Sequence, residues 1–366
     1  MKIAHFTILH SAEDSRIFEK QCKTLSKNGH EVMLFCISSV TTSYIKNNVY
    51  IHKFFFGRRS FRLVRSFSDS ILLFREVLRI RPDYIQIHDP ECLWLSFFCR
   101  IYRIKVIYDV HEDYALVFRS YAVSRRVLFS FFFKLFEFLN LSFIESVIVA
   151  TDSIESKYRN RHKRIFTVKN FPILEDLNRK KFGIVSDNVR ICYTGNIGVN
   201  RGIFKLLDAI SESNRNFILE LAGNFDSFDS KCLVENHSAY PSIHYHGFVD
   251  RSGVNSIICQ SSIGAILSLP IPSYVESLPV KLFEYLGSGI PVVVSNFQYW
   301  RDLLEGYDCV LFVDPTNTKE IRVALEYLFD NPELVKRMGQ NGYQAVTDIF
   351  SWESQSGVYL SVYNTF

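Results

Sequence analysis

The sequence predicts an α/β protein of two domains, each built on a mostly parallel sheet. Three observations carry this. At 366 residues the chain is long enough for two cores. It opens with a strand, helix, strand unit over residues 2–9, 16–28 and 31–38. The same unit restarts in the second half at residues 189–193 and recurs as strand, loop, helix, strand over 263–296. A hydrophobic content of 48% with 22% charged residues excludes a disordered chain.

Residues 2–9 read as a strand and 11–14 as a polar turn, with Asp14 placed to cap the next helix. In that helix Ile17, Phe18, Cys22 and Leu25 recur at helical spacing, and Gly29 closes it. No GxGxxG follows the first strand, which disfavours a dinucleotide site in this turn. Arg16 lies close to Glu13 and Glu19, so an ordinary ion pair is one reading of it. The basic aromatic run FFFGRRSFRLVRSF leads into a helix over 68–80 that Pro82 ends. Residues 84–88 form a short strand leading into His88-Asp89-Pro-Glu, at the carboxyl end where α/β proteins bind ligands. After a helix over 93–100 comes a strand over 105–108, then Asp109-Val-His111-Glu-Asp113. A metal on Asp109, His111 and Asp113 is disfavoured, because alternate residues at a strand end face opposite ways. A buried, satisfied histidine is the plain alternative for His111.

Residues 127–144 are the most apolar stretch, yet Lys134 and Glu137 argue against a transmembrane span. Ser130, Lys134 and Glu137 fall on one narrow stripe, leaving most of the circumference apolar. Either the helix packs on several sides, or part of it lies in a membrane interface. A strand over 146–150 and a well-capped helix from Thr151 complete the first half, and the polar stretch 175–188 marks the boundary.

In the second half, Thr194-Gly195-Asn196-Ile-Gly-Val-Asn-Arg201-Gly202 feeds a helix that runs through residue 210. Such a loop offers backbone amides and a helix N-terminus to an anion. A solvated loop arginine is the alternative for Arg201. Strands follow at 217–222, 243–246 and 263–267, then a breaker-rich loop over 270–277. Ser277 is placed to cap the next helix and Pro279 to be its first residue, with Gly287 and Gly289 stopping it. Residues 290–295 read as a buried parallel strand. Here too a helix N-terminus favours an anion, and Lys281 adds charge in its first turn. Glu276 and Glu284 would accept hydrogen bonds from hydroxyls, which suits a nucleotide sugar; an i,i+3 surface pair of Lys281 and Glu284 is the alternative. A strand over 310–313 and helices over 318–331, 332–349 and 350–366 close the chain.

Charge divides unevenly. Residues 1–180 hold 29 Lys and Arg against 18 Asp and Glu, net +11, and residues 181–366 hold 13 against 20, net −7. A basic, Phe-rich front half favours an anionic membrane surface over nucleic acid. The eight cysteines are scattered singly, without metal-ligand spacing, and read as reduced, mostly buried thiols of a cytosolic protein. The residues after Met1 lead straight into a strand, which argues against a signal peptide.

The segment Glu276-Ser-Leu-Pro-Val-Lys-Leu-Phe-Glu284, followed by Tyr-Leu-Gly-Ser-Gly-Ile-Pro-Val-Val, resembles the donor-site signature of retaining glycosyltransferases of family 4. The runs HSAEDSRIFEK, HDPE and YDVHED resemble the polysaccharide-assembly members of that family, which serve O-antigen, capsule and lipopolysaccharide synthesis. The resemblance implies the GT-B fold: two Rossmann-like domains facing an interdomain cleft. Residues 1–170 would form the acceptor-side domain and 185–350 the nucleotide-sugar domain, with a terminal helix, 351–366, crossing back to the first.

It further implies that Glu284 binds the nucleotide ribose and that Glu276 and His111 act on the donor sugar. Gly195, Asn196, Arg201, Ser277, Leu278 and Lys281 would complete the donor site, with Asn196 standing where many relatives carry Arg. His10, Asp14, Arg16, His88 and Asp89 would line the acceptor side. The implied reaction moves a sugar from a nucleotide donor to a hydroxyl of a lipid-linked glycan, with no metal and no cofactor. The implied place is the cytoplasm, peripheral on the inner face of the plasma membrane. A nucleotide-sugar epimerase of the same fold and a non-catalytic assembly paralogue are the alternatives.

Overall fold

The computed structural model describes residues 1–55, 62–114, 126–178 and 189–364. The chain divides into two compact units, Met1–Asn170 with Gln355–Phe366, and Phe171–Ser354.

Among the described residues the first unit holds eight strands. They are β1 (Lys2–Phe6), β2 (Glu31–Ile37), β3 (Thr42–Lys46), β4 (Val49–Phe54), β5 (Tyr84–Ile87), β6 (Lys105–Val110), β7 (Ser146–Val149) and β8 (Ile165–Thr167). Their order is β3-β4-β2-β1-β5-β6-β7-β8, and every pairing is parallel except β3 with β4. That antiparallel hairpin turns through Asn47 and Asn48 at φ 50° and 57°. Two successive positive φ values make the tight turn that matches strand twist, and Asn tolerates them best after Gly. β5 and β7 are buried along their whole length, as strands covered on both faces are. Strand order reverses between β1 and β5, so their carboxyl ends open at a switch point.

The helix expected after β1 is wound differently from a plain α-helix. Ser15–Cys22 is a π-helix, continued by the α-helix Lys23–Lys27. Asp14 caps it, accepting from the amides of Arg16 and Ile17. The wide turn brings residues five apart over one another, which aligns Arg16 with Gln21. From the C-terminal segment, Tyr359 and Tyr363 both donate to the side-chain oxygen of buried Gln86 on β5, at 3.0 and 2.5 Å.

The second unit holds, among its described residues, β9 (Val189–Thr194), β10 (Phe217–Ala222), β11 (Ile243–Gly247), β12 (Ile263–Ile266), β13 (Val292–Ser295) and β14 (Val310–Val313). All pair in parallel, in the order β11-β10-β9-β12-β13-β14. Alternation on β9 sends Val189, Ile191 and Tyr193 into one core and Cys192 into the other. The switch point here lies between β9 and β12. Phe171 belongs to this unit, its ring 4.6 Å from Phe283 and 5.4 Å from Phe350.

The helix after β12 begins one residue later than its sequence suggests. Pro279 is the N-cap at ψ 123°, Val280–Gly287 is the helix, and the Ser277 hydroxyl donates to the Tyr274 carbonyl instead of capping. Helices Phe228–Glu235, Arg251–Gln260 and Gln298–Leu304 were not foreseen; none is longer than ten residues. All eight cysteines are free, six of them buried. Among the described residues no helix is long and apolar enough to cross a membrane.

Candidate functional site

In the first unit, the carboxyl ends of β1, β5 and β6 converge on Asp109. Its carboxylate is fully buried and accepts from Arg16 at 2.7 Å and Gln21 at 2.7 Å, both from the π-helix, and from Gln86 at 3.3 Å. His111 Nε2 lies 3.1 Å from the same carboxylate and His88 Nδ1 3.3 Å. Since Asp109 only accepts, the His111 Nε2 that bonds it carries a proton, and His88 Nδ1 lies 3.2 Å from that same nitrogen. His88 Nε2 hydrogen-bonds in turn with His5 Nδ1, 3.0 Å away.

Burial holds His5 well below the ordinary histidine value, with His88 adding to the effect. His88 is lowered by burial too, only partly opposed by Asp109. Burial works against ionised Asp109, but Arg16 and His111 outweigh it and keep the carboxyl well below its usual range. His88, Asp109 and His111 offer ligand atoms within 4.8 Å of one another. The Arg16 guanidinium already neutralises that carboxylate, which disfavours a cation beside it. Asp113 turns away, 2.9 Å from Lys157.

His10 and Asp14 form the more open part of this cluster. His10 Nδ1 sits 3.2 Å from Asp14, its ring 4.9 Å from that of His111. Burial disfavours the His10 cation, yet Asp14, Asp89 and Asp109 together raise its pKa above the ordinary value. Asp89 is buried and spends one oxygen on the Thr7 hydroxyl (2.8 Å) and the Ile8 amide (2.6 Å). Its other oxygen makes no hydrogen bond among the described residues, with His10 Nε2 3.7 Å away.

In the second unit the candidate residues gather at the carboxyl ends of β9 and β12. Lys281 donates to the Thr194 carbonyl at 3.2 Å, with its ammonium 3.9 Å from the centre of the Tyr193 ring. Arg201 lies 4.2 Å over the Tyr274 ring. Neither cation makes an ion pair among the described residues. Burial and the charge of Arg201 bring the Lys281 pKa down to about 7. Gly195, at φ 113°, is open on the side where a Cβ would stand 3.9 Å from the Lys281 ammonium. Gly202, at φ 71°, opens the helix Ile203–Ser211, and a Cβ there would strike the Leu267 carbonyl. Asn196 is exposed and its carbonyl accepts from the Tyr193 hydroxyl at 2.6 Å.

Glu284 is buried and receives the Arg251 guanidinium at 2.5 Å. Glu276 and Leu278 are half-buried, and the Ser277 carbonyl accepts from Trp300 Nε1 at 2.7 Å. Sequence reading missed Arg251, Tyr285, Gln21, Gln86 and His5. Arg251 carries one usable signal: it follows Asp250, which caps a helix just past the β11 end.

The residues match two family profiles that together run from 15 to 345. Residues 15–171 match Glycosyltransferase Family 4 and residues 175–345 match Glycosyl transferases group 1. The chain belongs to glycosyltransferase family 4. This family 4 chain is 30% identical over 123 residues to the MMP alpha-(1->4)-mannosyltransferase of Mycolicibacterium hassiacum, covering 32% of this chain and 30% of that protein. It is 26% identical over 167 residues to the alpha-D-kanosaminyltransferase of Streptomyces kanamyceticus, covering 44% and 42%. The match thus spans well under half the length of these relatives.

In fold, the family 4 chain is similar to a sucrose-phosphate synthase from Thermosynechococcus elongatus, with a TM-score of 0.80 at 15% identity over 98% of this chain and 96% of that one. It is similar too to Anabaena HepE in complex with UDP, at 0.73 and 12% identity over 99% of each. The fold is GT-B, two α/β units with parallel-dominated sheets.

Proposed function

We propose that this protein transfers a sugar from a nucleotide-sugar donor to a hydroxyl of a lipid-linked polysaccharide precursor, with retention at the anomeric carbon. The observation that carries the reading is the placement of Arg201 and Lys281, two basic side chains without an ion pair among the described residues, beside the open face of Gly195 and the N-terminus of Ile203–Ser211. Such a site asks for a diphosphate. The UDP held by the similar Anabaena HepE supports a nucleoside diphosphate there.

In this reading charge develops on the diphosphate as the anomeric C–O bond breaks. Arg201, Lys281 and the helix N-terminus are already oriented to receive it, which is electrostatic preorganisation. Asn196 and the backbone of Ser277 and Leu278 complete the contacts to the sugar phosphate, and Glu284 binds the ribose. Glu276 and His111 orient the sugar and stabilise its positive character. Asp109 fixes the His111 ring with Nε2 protonated, leaving Nδ1 for the sugar. His10 and Asp89 present a basic ring and an unsatisfied oxygen, respectively, to an acceptor hydroxyl, with Asp14, Arg16 and His88 holding them in place. The protein works at the cytoplasmic face of the membrane, where such acceptors are anchored.

The test is a thermal-shift screen against UDP-, GDP-, ADP- and CMP-sugars, followed by transfer to a lipid-diphosphate sugar with the product anomer read by NMR. Stabilisation by one nucleotide class and a product of the donor's anomeric configuration are expected. An inverted product, or no turnover with any donor, overturns the reading.

A further inference from the structure

The helix Arg126–Leu141 is built inside out. Of its polar residues Ser130, Glu137 and Asn140 are buried and Lys134 is exposed, while Phe131, Phe132, Leu135, Phe138 and Leu139 are 43–60% exposed. The burial of Glu137 is specific: it accepts from the Tyr158 hydroxyl and, at 2.9 Å, from Arg161. The outward residues recur at i, i+1, i+4, i+7 and i+8, one continuous helical face.

A second helix extends this face. Leu95–Ile101 buries Leu95, Ser96 and Cys99 and turns out Phe97, Phe98 and Ile101, with Tyr102 following, at 40–61% exposure. The two helices touch, Ser96 donating to Asn140 at 3.4 Å and the Phe97 ring packing 5.4 Å from Phe143. An aromatic side chain carries on the order of 200 Å² of surface. These residues at about half exposure exceed the few hundred Å² of apolar patch that a monomer ordinarily shows to water.

We propose that this two-helix aromatic face is a docking surface for the interface of an anionic membrane. Charge selects the occupant. Arg100, Arg103 and Lys134 are exposed beside the apolar residues. The unit that carries the face, residues 1–170 with 355–366, holds 27 Lys and Arg against 16 Asp and Glu, net +11. A second copy would bring the same positive charge against it, whereas anionic headgroups complement a cationic rim around buried rings. The inference draws its purpose from the lipid-linked acceptor proposed above, but vesicle binding requires neither donor nor acceptor.

The experiment is flotation of the full chain with phosphatidylcholine vesicles and with vesicles mixing phosphatidylcholine and phosphatidylglycerol. The wild type should float with the mixed vesicles. Phe131→Ser with Phe138→Ser should weaken binding by roughly tenfold or more, from the apolar area withdrawn. Arg100→Glu with Arg103→Glu should weaken it by about fivefold per residue in low salt and less in high salt. Absence of vesicle binding, or binding that neither pair alters, overturns the proposal. So does a concentration-dependent dimer, seen by analytical ultracentrifugation, that the phenylalanine pair abolishes. Nucleotide release from the donor in vesicle-free solution should be unchanged in both pairs; its loss in wild type and variants alike would count against the transferase reading and leave the docking surface standing.

Discussion

Lys281 and Tyr285, one helical turn apart, grip the backbone of the same residue: Lys281 donates to the Thr194 carbonyl at 3.2 Å, and the Tyr285 hydroxyl accepts from the Thr194 amide at 2.8 Å. Helix Val280–Gly287 is thereby fixed to the carboxyl end of β9, where the chain turns into Gly195. The ammonium is held by a carbonyl and a ring face, without an ion pair among the described residues.

That placement predicts a pH-dependent donor affinity. Lys281 titrates near 7 because burial and Arg201 oppose its charge. A bound diphosphate favours the charged form, so binding above this pH takes up a proton. Affinity for a nucleotide sugar should fall by up to roughly tenfold per pH unit above 7. Calorimetry in two buffers of different ionisation enthalpy should show proton uptake at about pH 8, and Lys281→Arg should flatten the dependence. An affinity independent of pH would show that Lys281 does not meet the diphosphate.

The two signature glutamates should separate kinetically. Glu284→Ala should raise the donor KM, and Glu276→Ala should lower kcat with little change in KM. Arg251 holds one oxygen of Glu284, so Arg251→Ala should raise the donor KM by a few fold, about 1 kcal/mol. Steady-state kinetics on the three variants checks this, and wild-type transfer by both glutamate variants would undo the site assignment.

Asp109 joins catalysis to stability. Replacing it with Asn leaves the Arg16 guanidinium buried without its counter-charge, a loss of about 3–5 kcal/mol. Gln21→Ala removes one donor to Asp109 and the acceptor for Gln86 Nε2 but keeps the ion pair, so it should cost only about 1–2 kcal/mol. Urea unfolding of both variants measures the difference. Equal losses would mean that the Arg16–Asp109 pair contributes nothing beyond a neutral hydrogen bond.

The fold was legible where chemistry is local. Asp14 and Thr151 cap as their types suggest, and the apolar runs of β5, β7 and β13 are buried strands. The hairpin at Asn47–Asn48 was missed because its strands are short and β3 is largely exposed. What lay beyond reach was long-range: Arg16 finds Asp109 at a separation of 93 residues, not its neighbours Glu13 or Glu19. The inverted helix Arg126–Leu141 was half legible. The stripe of Ser130, Lys134 and Glu137 could be counted, but that Ser130 and Glu137 face inward while Lys134 stays exposed depended on Tyr158 and Arg161, far along the chain.

The histidine cluster predicts how the protein responds to acid. His5 and His88 are buried with lowered pKa, so between the unfolded value near 6.5 and their folded values the unfolded chain binds more protons. Stability therefore falls as pH drops below 6.5, by up to about 1.4 kcal/mol per unit for each group. His10 acts in the opposite direction: its raised pKa gives stability present in acid and lost as pH rises through the folded value. Asp14 and Asp109, both lowered, add their own loss only as pH falls below the usual carboxylate range. The urea midpoint should decline from about pH 7 to pH 5, and His10→Asn should steepen the decline by removing the opposing proton uptake. A midpoint that stays level over this range in the wild type would mean that burial does not lower the pKa of His5 and His88 in the folded chain.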